Sequence, residues 1–337
     1  MTRTRATLWP ESRRSRRLAA RVAVAAAILV VAVGCAKPTG SGPPSPSVGA
    51  VPTDTPRATT GPSPTVNASP TLAPVSLRGQ IAFEWTVDGN TDIYLMNLDR
   101  TGLQRLTDDP AIDRNPGWSP DGERIVFTRG VAGAGDLFVM NADGSGQMPL
   151  ADTPENEEHG RFSPDGGSIG FWRGNDQAAA LQLMDPNGSN DREVIGFTDT
   201  WTAGVSWTAD GQAILFNRDI GTGIDIVRVE IASGDLTPIT EDSPGDESSF
   251  ALSVDGATIA VQSDRVPGGI FVMDVDGTHA RHVTGAWTKG YPVSWSPDGE
   301  HLAYSQPDGW IYLVRIDGSE VTPWAQGGLD LAWRPAP

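Results

Sequence analysis

The sequence predicts an all-β fold: a six-bladed β-propeller with four-stranded blades. Three observations predict it. The stretch Trp118-Ser119-Pro120-Asp121-Gly122 returns as Phe162-Ser163-Pro164-Asp165-Gly166, Trp207-Thr208-Ala209-Asp210-Gly211, Leu252-Ser253-Val254-Asp255-Gly256 and Trp295-Ser296-Pro297-Asp298-Gly299. Its step of about 43–45 residues is the period of a propeller blade. Each copy is followed by the same order of short apolar segments, and no long segment of helical period occurs beyond the N-terminal region. Finally, the two ends of the repeat region are complementary halves of one blade.

The N-terminal segment comes first and stands apart from the fold. Residues 1–34 carry seven arginines against the single Glu11, then the apolar run Val22 to Val33. That run is shorter than the roughly 20 residues of a comfortable transmembrane helix and suits the core of a signal peptide. It ends at Ala32-Val33-Gly34-Cys35, the only cysteine of the chain. This reads as a bacterial lipobox, with cleavage before Cys35 and lipidation of its thiol. With one cysteine there is no intramolecular disulfide, so the folded part is held by its core alone.

Residues 35–77 are dominated by Pro, Ser, Thr, Gly and Ala. Such a composition cannot bury enough apolar surface to offset its ordering entropy. The expectation is a disordered linker, whose roughly 40 residues reach up to ~120 Å in polyproline geometry. The propeller is expected over residues 78–337.

Within a blade, the anchor motif ends the innermost strand. Ser-Pro-Asp-Gly suits a tight turn: proline sets φ at the second position, and glycine accepts a positive φ after it. The aromatic or leucine before it is expected to be buried between blades. The second strand follows, as in Arg124 to Arg129, Ser168 to Arg173, Ala213 to Arg218, Thr258 to Ser263 and His301 to Gln306. A third strand, as in Asp136 to Asn141, a turn such as Ala142-Asp143-Gly144, and a short fourth strand complete the unit. The first segment, Gly79 to Phe83, matches a second strand without its anchor, whereas Leu329 to Pro335 matches an anchor strand with nothing after it. The C-terminal strand is therefore expected to complete the first blade, leaving no open edge.

Ile93-Tyr94-Leu95-Met96-Asn97-x-Asp99, then Leu106-Thr107, then Pro116-x-Trp118-Ser119-Pro120-Asp121-Gly122 resembles the WD40-like (PD40) repeats of TolB-like propellers. The resemblance spans about residues 79–335. It implies the fold strongly and a function only weakly, because these propellers serve many roles.

The formal net charge is −17, and the basic N-terminal segment makes the remainder more acidic still. That argues against a nucleic-acid partner. Gly166-Gly167-Ser168-Ile169-Gly170 matches the nucleophile-elbow pattern, but it straddles an anchor turn and a strand rather than a strand-to-helix turn. Asp274-Val275-Asp276-Gly277 and its blade mates are explained as hairpin turns rather than calcium loops. The four histidines, His159, His279, His282 and His301, do not form a set with metal-ligand spacing. Neither catalytic residues, a metal nor a cofactor is assigned.

Function is expected where the repeats differ, on the face opposite the anchor turns. Its candidates are Asp113, Arg114, Arg129, Glu157, Glu158, His159, Arg173, Trp201, Arg218, Asp246, Glu247, Arg265, Trp287 and Lys289. One reading is a charged, aromatic-studded channel mouth that binds a peptide, glycan or protein loop. The other is a solvated acidic rim with arginines bridging neighbouring blades. The favoured function is a non-catalytic, monomeric scaffold, anchored to the membrane through Cys35 at the cell surface or in the periplasm, with an envelope protein, peptide or glycan as partner. Two alternatives remain open: a hydrolase or lyase using Glu157, Glu158 and Asp246 as acid and base, and an extracellular ligand sensor.

Overall fold

A computed structural model describes residues 79–335, apart from positions 132, 152, 176–177, 199–201, 220–222, 242, 286–291 and 328–329. Cys35, the signal and linker segments, Trp201, Trp287 and Lys289 lie outside the described residues.

Among the described residues, twenty-four strands form six four-stranded antiparallel sheets. In chain order they begin with β1 (Gln80–Val87), β2 (Asn90–Asn97) and β3 (Gln104–Arg105). The second blade is β4 (Asp113–Trp118), β5 (Arg124–Val131), β6 (Ala134–Asn141) and β7 (Met148–Pro149). The third is β8 (Glu157–Phe162), β9 (Ile169–Asn175), β10 (Ala178–Met184) and β11 (Arg192–Thr198). The fourth is β12 (Thr202–Trp207), β13 (Ala213–Asp219), β14 (Ile224–Glu230) and β15 (Leu236–Pro238). The fifth is β16 (Glu247–Leu252), β17 (Thr258–Ser263), β18 (Gly269–Asp274) and β19 (Arg281–Thr284). The sixth is β20 (Val293–Trp295), β21 (His301–Ser305), β22 (Trp310–Arg315) and β23 (Thr322–Gln326). The last strand, β24 (Leu331–Trp333), pairs with β1 and completes the first blade, as the split repeat predicts.

One register repeats around the ring. Trp333, Trp118, Phe162, Trp207, Leu252 and Trp295 lie opposite Ile81, Ile125, Ile169, Ile214, Ile259 and Leu302 respectively. Because side chains alternate along a strand, this shared register sends equivalent residues to the same blade face. The result is six apolar clusters, one at each junction between blades. The tryptophans add directionality to this packing. Trp118 Nε1 donates to Ala332 O (3.1 Å), Trp207 Nε1 to Arg161 O (3.0 Å) and Trp295 Nε1 to Ala251 O (3.0 Å). Each thus fastens its own blade to the inner strand of the blade before it.

The anchor turn is built the same way five times. Gly122 N donates to Ser119 O (2.8 Å), with Gly122 at φ 68°. Ser119 Oγ donates to Asp121 Oδ1 (2.5 Å) and accepts from Arg124 N (2.9 Å), while Glu123 N donates to the same Asp121 Oδ1 (3.0 Å). Ser163–Asp165, Thr208–Asp210, Ser253–Asp255 and Ser296–Asp298 repeat the hydroxyl-to-carboxylate bond. The aspartate therefore caps backbone donors that proline and glycine alone would leave unpaired. Ala209 and Val254 replace proline without loss of the turn, which needs the hydroxyl, carboxylate and glycine.

Candidate functional site

The other end of the inner strands carries the charged residues singled out by the sequence, and most of them are tied up within the fold. Asp113, Glu157 and Glu247, each at the start of its strand, are fully buried. Antiparallel register sets Asp113 opposite Arg129 and Glu157 opposite Arg173. Arg129 grips Asp113 with Nε (2.7 Å) and Nη2 (2.8 Å). Arg173 Nε donates to Glu157 (3.0 Å), and Arg265 Nη2 to Glu247 (2.5 Å). Thr153 and Ser243 hydroxyls donate to the same Oε1 of Glu157 and Glu247, while Oε2 of each is buried without a hydrogen-bond partner. The guanidiniums lie 4.9–5.3 Å from Phe127, Phe138, Phe171 and Phe271 ring centres, a cation–π arrangement. Burial pushes the Asp113, Glu157 and Glu247 carboxyls up, and the arginine and hydroxyl donors pull them back. These three pairs lie inside single blades, which corrects the expectation of arginines bridging neighbours.

The fourth blade departs from this pattern. Thr202 stands opposite Arg218 where the others have a carboxylate. Arg218 stacks on Phe197 at 4.1 Å, and burial lowers its pKa. Arg114 and Glu158 are the pair that does cross between blades, joining the second to the third at 2.5 Å. Asp246 accepts from Ile224 N (3.3 Å), and its own N–H donates to Asp264 (2.7 Å). Trp172 is core, with Nε1 donating to Gly204 O (2.8 Å).

One turn further along the inner strands, β-bulges open the pairing. The registers slip between Arg114 and Gly117, Glu158 and Arg161, and Ala203 and Ser206. Asn115, His159 and Gly204 sit there at φ 55°, 59° and 70°. Bulges of this kind re-aim side chains, and here His159 and Gly204 line the central channel, a cavity of about 720 Å³. Its wall is asymmetric. From the third blade come His159 and Arg161, and from the first Asp330. From the fourth, fifth and sixth blades come uncharged residues, among them Gly204, Ser206, Trp207, Phe250, Ser294 and Trp295.

The charged side is a connected network drawn from three blades. Glu84, buried on β1, accepts from Asn115 N (2.6 Å), and Asn115 Nδ2 donates to Asp330 (2.5 Å). Arg161 Nη1 donates to Asn115 O (3.1 Å) and Gly160 O (2.8 Å). Burial, then the neighbouring Asp330, push the Glu84 carboxyl well above its ordinary value. Burial lowers His159 against the pull of Asp330 and Glu158, and lowers Arg161 against the pull of Asp330 and Glu84. The network presents a guanidinium, an imidazole and a carboxylate to one side of the channel, in surroundings that strengthen polar contacts.

Among the described residues of the predicted face, only His159 lines this channel. Glu84, Asn115, Arg161 and Asp330 were not singled out from sequence. Their signal was a break in the repeat. Glu84 stands where the other blades place Thr128, Trp172, Asn217, Gln262 and Ser305, and Arg161 where they place Gly117, Ser206, Ala251, Ser294 and Ala332. Gly166 to Gly170, the nucleophile-elbow match, forms an anchor turn, with Ser168 N donating to Ser163 Oγ (2.9 Å).

Comparison with known proteins gives one family and several structural relatives. The profile of the TolB beta propeller domain, PD40, matches residues 44–233. The Tol-Pal system protein TolB of Geobacter sulfurreducens is 47% identical over 47 residues, which cover 14% of this chain and 11% of that protein. Among solved structures, TolB from Acinetobacter baumannii aligns with a TM-score of 0.66 at 20% identity, over 77% of this chain and 67% of that one. The nidogen/laminin complex aligns at 0.62 with 10% identity, over 76% of this chain and 98% of that one. At such identities the structural likeness is one of fold.

Proposed function

The chain belongs to the TolB β-propeller domain family, and from that premise we propose that it is a non-catalytic binding scaffold, held outside the cytoplasm by a lipid on Cys35. Its partner is a protein, peptide or glycan of the cell envelope, recognised through the central channel. The asymmetric channel wall carries the reading. Arg161, His159 and Asp330 offer a set of donors and acceptors, facing an uncharged, partly aromatic wall across a cavity of about 720 Å³, the kind of setting that takes a chain segment or sugar ring. The clamps Asp113–Arg129, Glu157–Arg173 and Glu247–Arg265 hold the strand ends rigid, so little ordering cost falls on binding. The matched relative is named as a Tol-Pal system protein, which supports a protein partner for this chain too. The lipobox and the 35–77 linker support a domain tethered at a distance from the membrane.

The test is affinity purification of the full chain from membranes, beside Ser294→Trp. Ser294 lines the channel from its neutral side, so the indole fills the cavity and leaves the charged network intact. The expected result is a defined partner that the variant fails to retain at an unchanged melting temperature. Equal capture by both proteins, or turnover of a glycan or peptide by the purified chain, overturns the reading. Cys35→Ser is expected to shift the protein from the membrane to the soluble fraction.

A further inference from the structure

We propose that Asp298, Glu300 and His301, at the anchor turn of the sixth blade, form a site for a divalent transition-metal ion. The site lies at the opposite end of the inner strands from the Asp113, Glu157 and Glu247 clamps, and its three residues are not among those lining the channel.

The argument starts from His301. It is the first residue of β21 and only 9% exposed, yet its Nδ1 is buried without a hydrogen-bond partner. A buried polar atom left unpaired costs about 1–3 kcal/mol, so its retention calls for an explanation. That nitrogen is 3.9 Å from Asp298 Oδ1. One ligand atom from each of Asp298, Glu300 and His301 lies within 4.8 Å of the others.

The blade repeat makes the constellation specific. At the position of Glu300 the other blades carry Glu123, Gly167, Gln212 and Ala257, and at that of His301 they carry Arg124, Ser168, Ala213 and Thr258. The anchor aspartate is common to all five, as turn chemistry requires; only the sixth blade adds both a second carboxylate and an imidazole. No step of turn formation needs either addition, since the turn closes in the third, fourth and fifth blades without them.

Metal bonds of about 2.0–2.2 Å to imidazole and carboxylate hold neighbouring ligand atoms roughly 3–3.5 Å apart. His301 is fixed by its burial, so the adjustment falls on the two carboxylates, both exposed. Asp298 Oδ1 is already held by Ser296 Oγ (2.5 Å) and Glu300 N (2.9 Å), which orients the carboxylate as an outer shell does at metal sites. Glu300 has to leave Arg315 Nη2, at 3.7 Å an exposed pair of little energetic weight. One imidazole and two carboxylates suit Zn²⁺, Ni²⁺ or Mn²⁺, whereas Ca²⁺ wants six to eight oxygens. Three protein ligands leave coordination positions for water or for a donor from another molecule.

The full chain is titrated calorimetrically with Zn²⁺, beside Glu300→Gln and His301→Ser. Blade mates Gln212 and Ser168 already hold these positions, so both variants are expected to keep the melting temperature of the parent without metal. The expected result is that the parent binds one equivalent of Zn²⁺ more tightly than each variant by at least ~10-fold, with Ca²⁺ failing to compete. Mn²⁺ should selectively broaden the His301 ring resonances in the parent. Any zinc taken up by Cys35 is common to all three proteins and cancels in the comparison. Equal Zn²⁺ stoichiometry and affinity in the parent and Glu300→Gln, or unbroadened His301 resonances, overturns the site. Should His301→Ser fail to fold, Glu300→Gln and the Mn²⁺ spectrum still decide it.

Discussion

At one end of the inner strands, Ser119, Ser163, Thr208, Ser253 and Ser296 each donate a hydrogen bond to the aspartate two residues on. At the other end, equivalent positions of the second to fifth blades hold Asp113, Glu157, Thr202 and Glu247, and the three carboxylates each clamp an arginine. The same strand thus carries a repeated turn below and a blade-specific arrangement above. The difference teaches where each kind of constraint acts. The anchor end is solved by local chemistry within a few residues, and one solution serves every blade. The mouth end is solved by partners on adjacent strands, and each blade solves it separately.

Breaking the repeated end at its apolar part should cost most. Trp118→Ala removes an indole from the junction of the first and second blades and its bond to Ala332 at the ring closure. A loss of about 3–5 kcal/mol is expected, with each kcal/mol worth roughly 2–4 °C for a domain of this size. Calorimetry showing a melting temperature within a degree of the parent would remove the anchor from its assigned role.

The mouth end is next. Arg265→Ala leaves Glu247, fully buried, without its cation. A buried charge stripped of its partner costs about 3 kcal/mol, and Arg265→Leu should do no better, because the loss is electrostatic rather than volumetric. Chemical denaturation distinguishes the two explanations: full rescue by leucine would assign the effect to packing.

A smaller effect is expected at the turn itself. Asp121→Ala deletes one acceptor shared by Ser119 and Glu123, worth about 1 kcal/mol. The Ser119 and backbone bonds hold the Asp121 carboxyl below its ordinary value. Its contribution is therefore present above about pH 3.9 and lost as pH falls. The difference between variant and parent should shrink in acid; a constant difference from pH 7 to pH 3 would contradict this.

The last effect is a slope. Burial and then the neighbouring Glu247 push the Asp225 carboxyl up to about 7. A folded-state pKa above the unfolded value of about 3.9 gives stability that is full below pH ~4 and lost as pH rises towards 7. Asp225→Asn, which keeps an oxygen for Thr240 Oγ1, should flatten the curve over that window. Urea midpoints at pH 4.5 and 7.5 measure it, and an unchanged slope would mean Asp225 is not held protonated by the fold.

Much of the architecture was legible because its determinants are local. The aromatic before a tight turn, the glycine at positive φ and the orphan half-blades at the two ends are all written in contiguous residues. The aspartate of the turn was legible in principle too, as a short acceptor two residues from a hydroxyl. The mouth was legible in composition only. Asp113 and Arg129 look like surface charges until antiparallel register sets them opposite one another and burial closes over the acid. The channel network was least legible, because Glu84, Asn115, Arg161 and Asp330 come from three blades and no spacing within one repeat relates them. What marked them was disagreement with their blade mates, a signal carried by the alignment of repeats rather than by any motif.

The pairing of Ile81 with Trp333 has a consequence in time as well as in space. Five blades are assembled from neighbouring residues, and each can zip up as soon as its own hairpins emerge. The first cannot: β1 has its inner edge bare until nearly the whole propeller has been synthesised, and every nascent chain passes through an interval in which a hydrophobic strand edge is available to another chain. Closure also makes the ring an all-or-none object. A few residues at the C-terminal end act as its clasp, and slackening Leu331 to Trp333 would release the strain-free circle into an open fan without disturbing any hairpin within it.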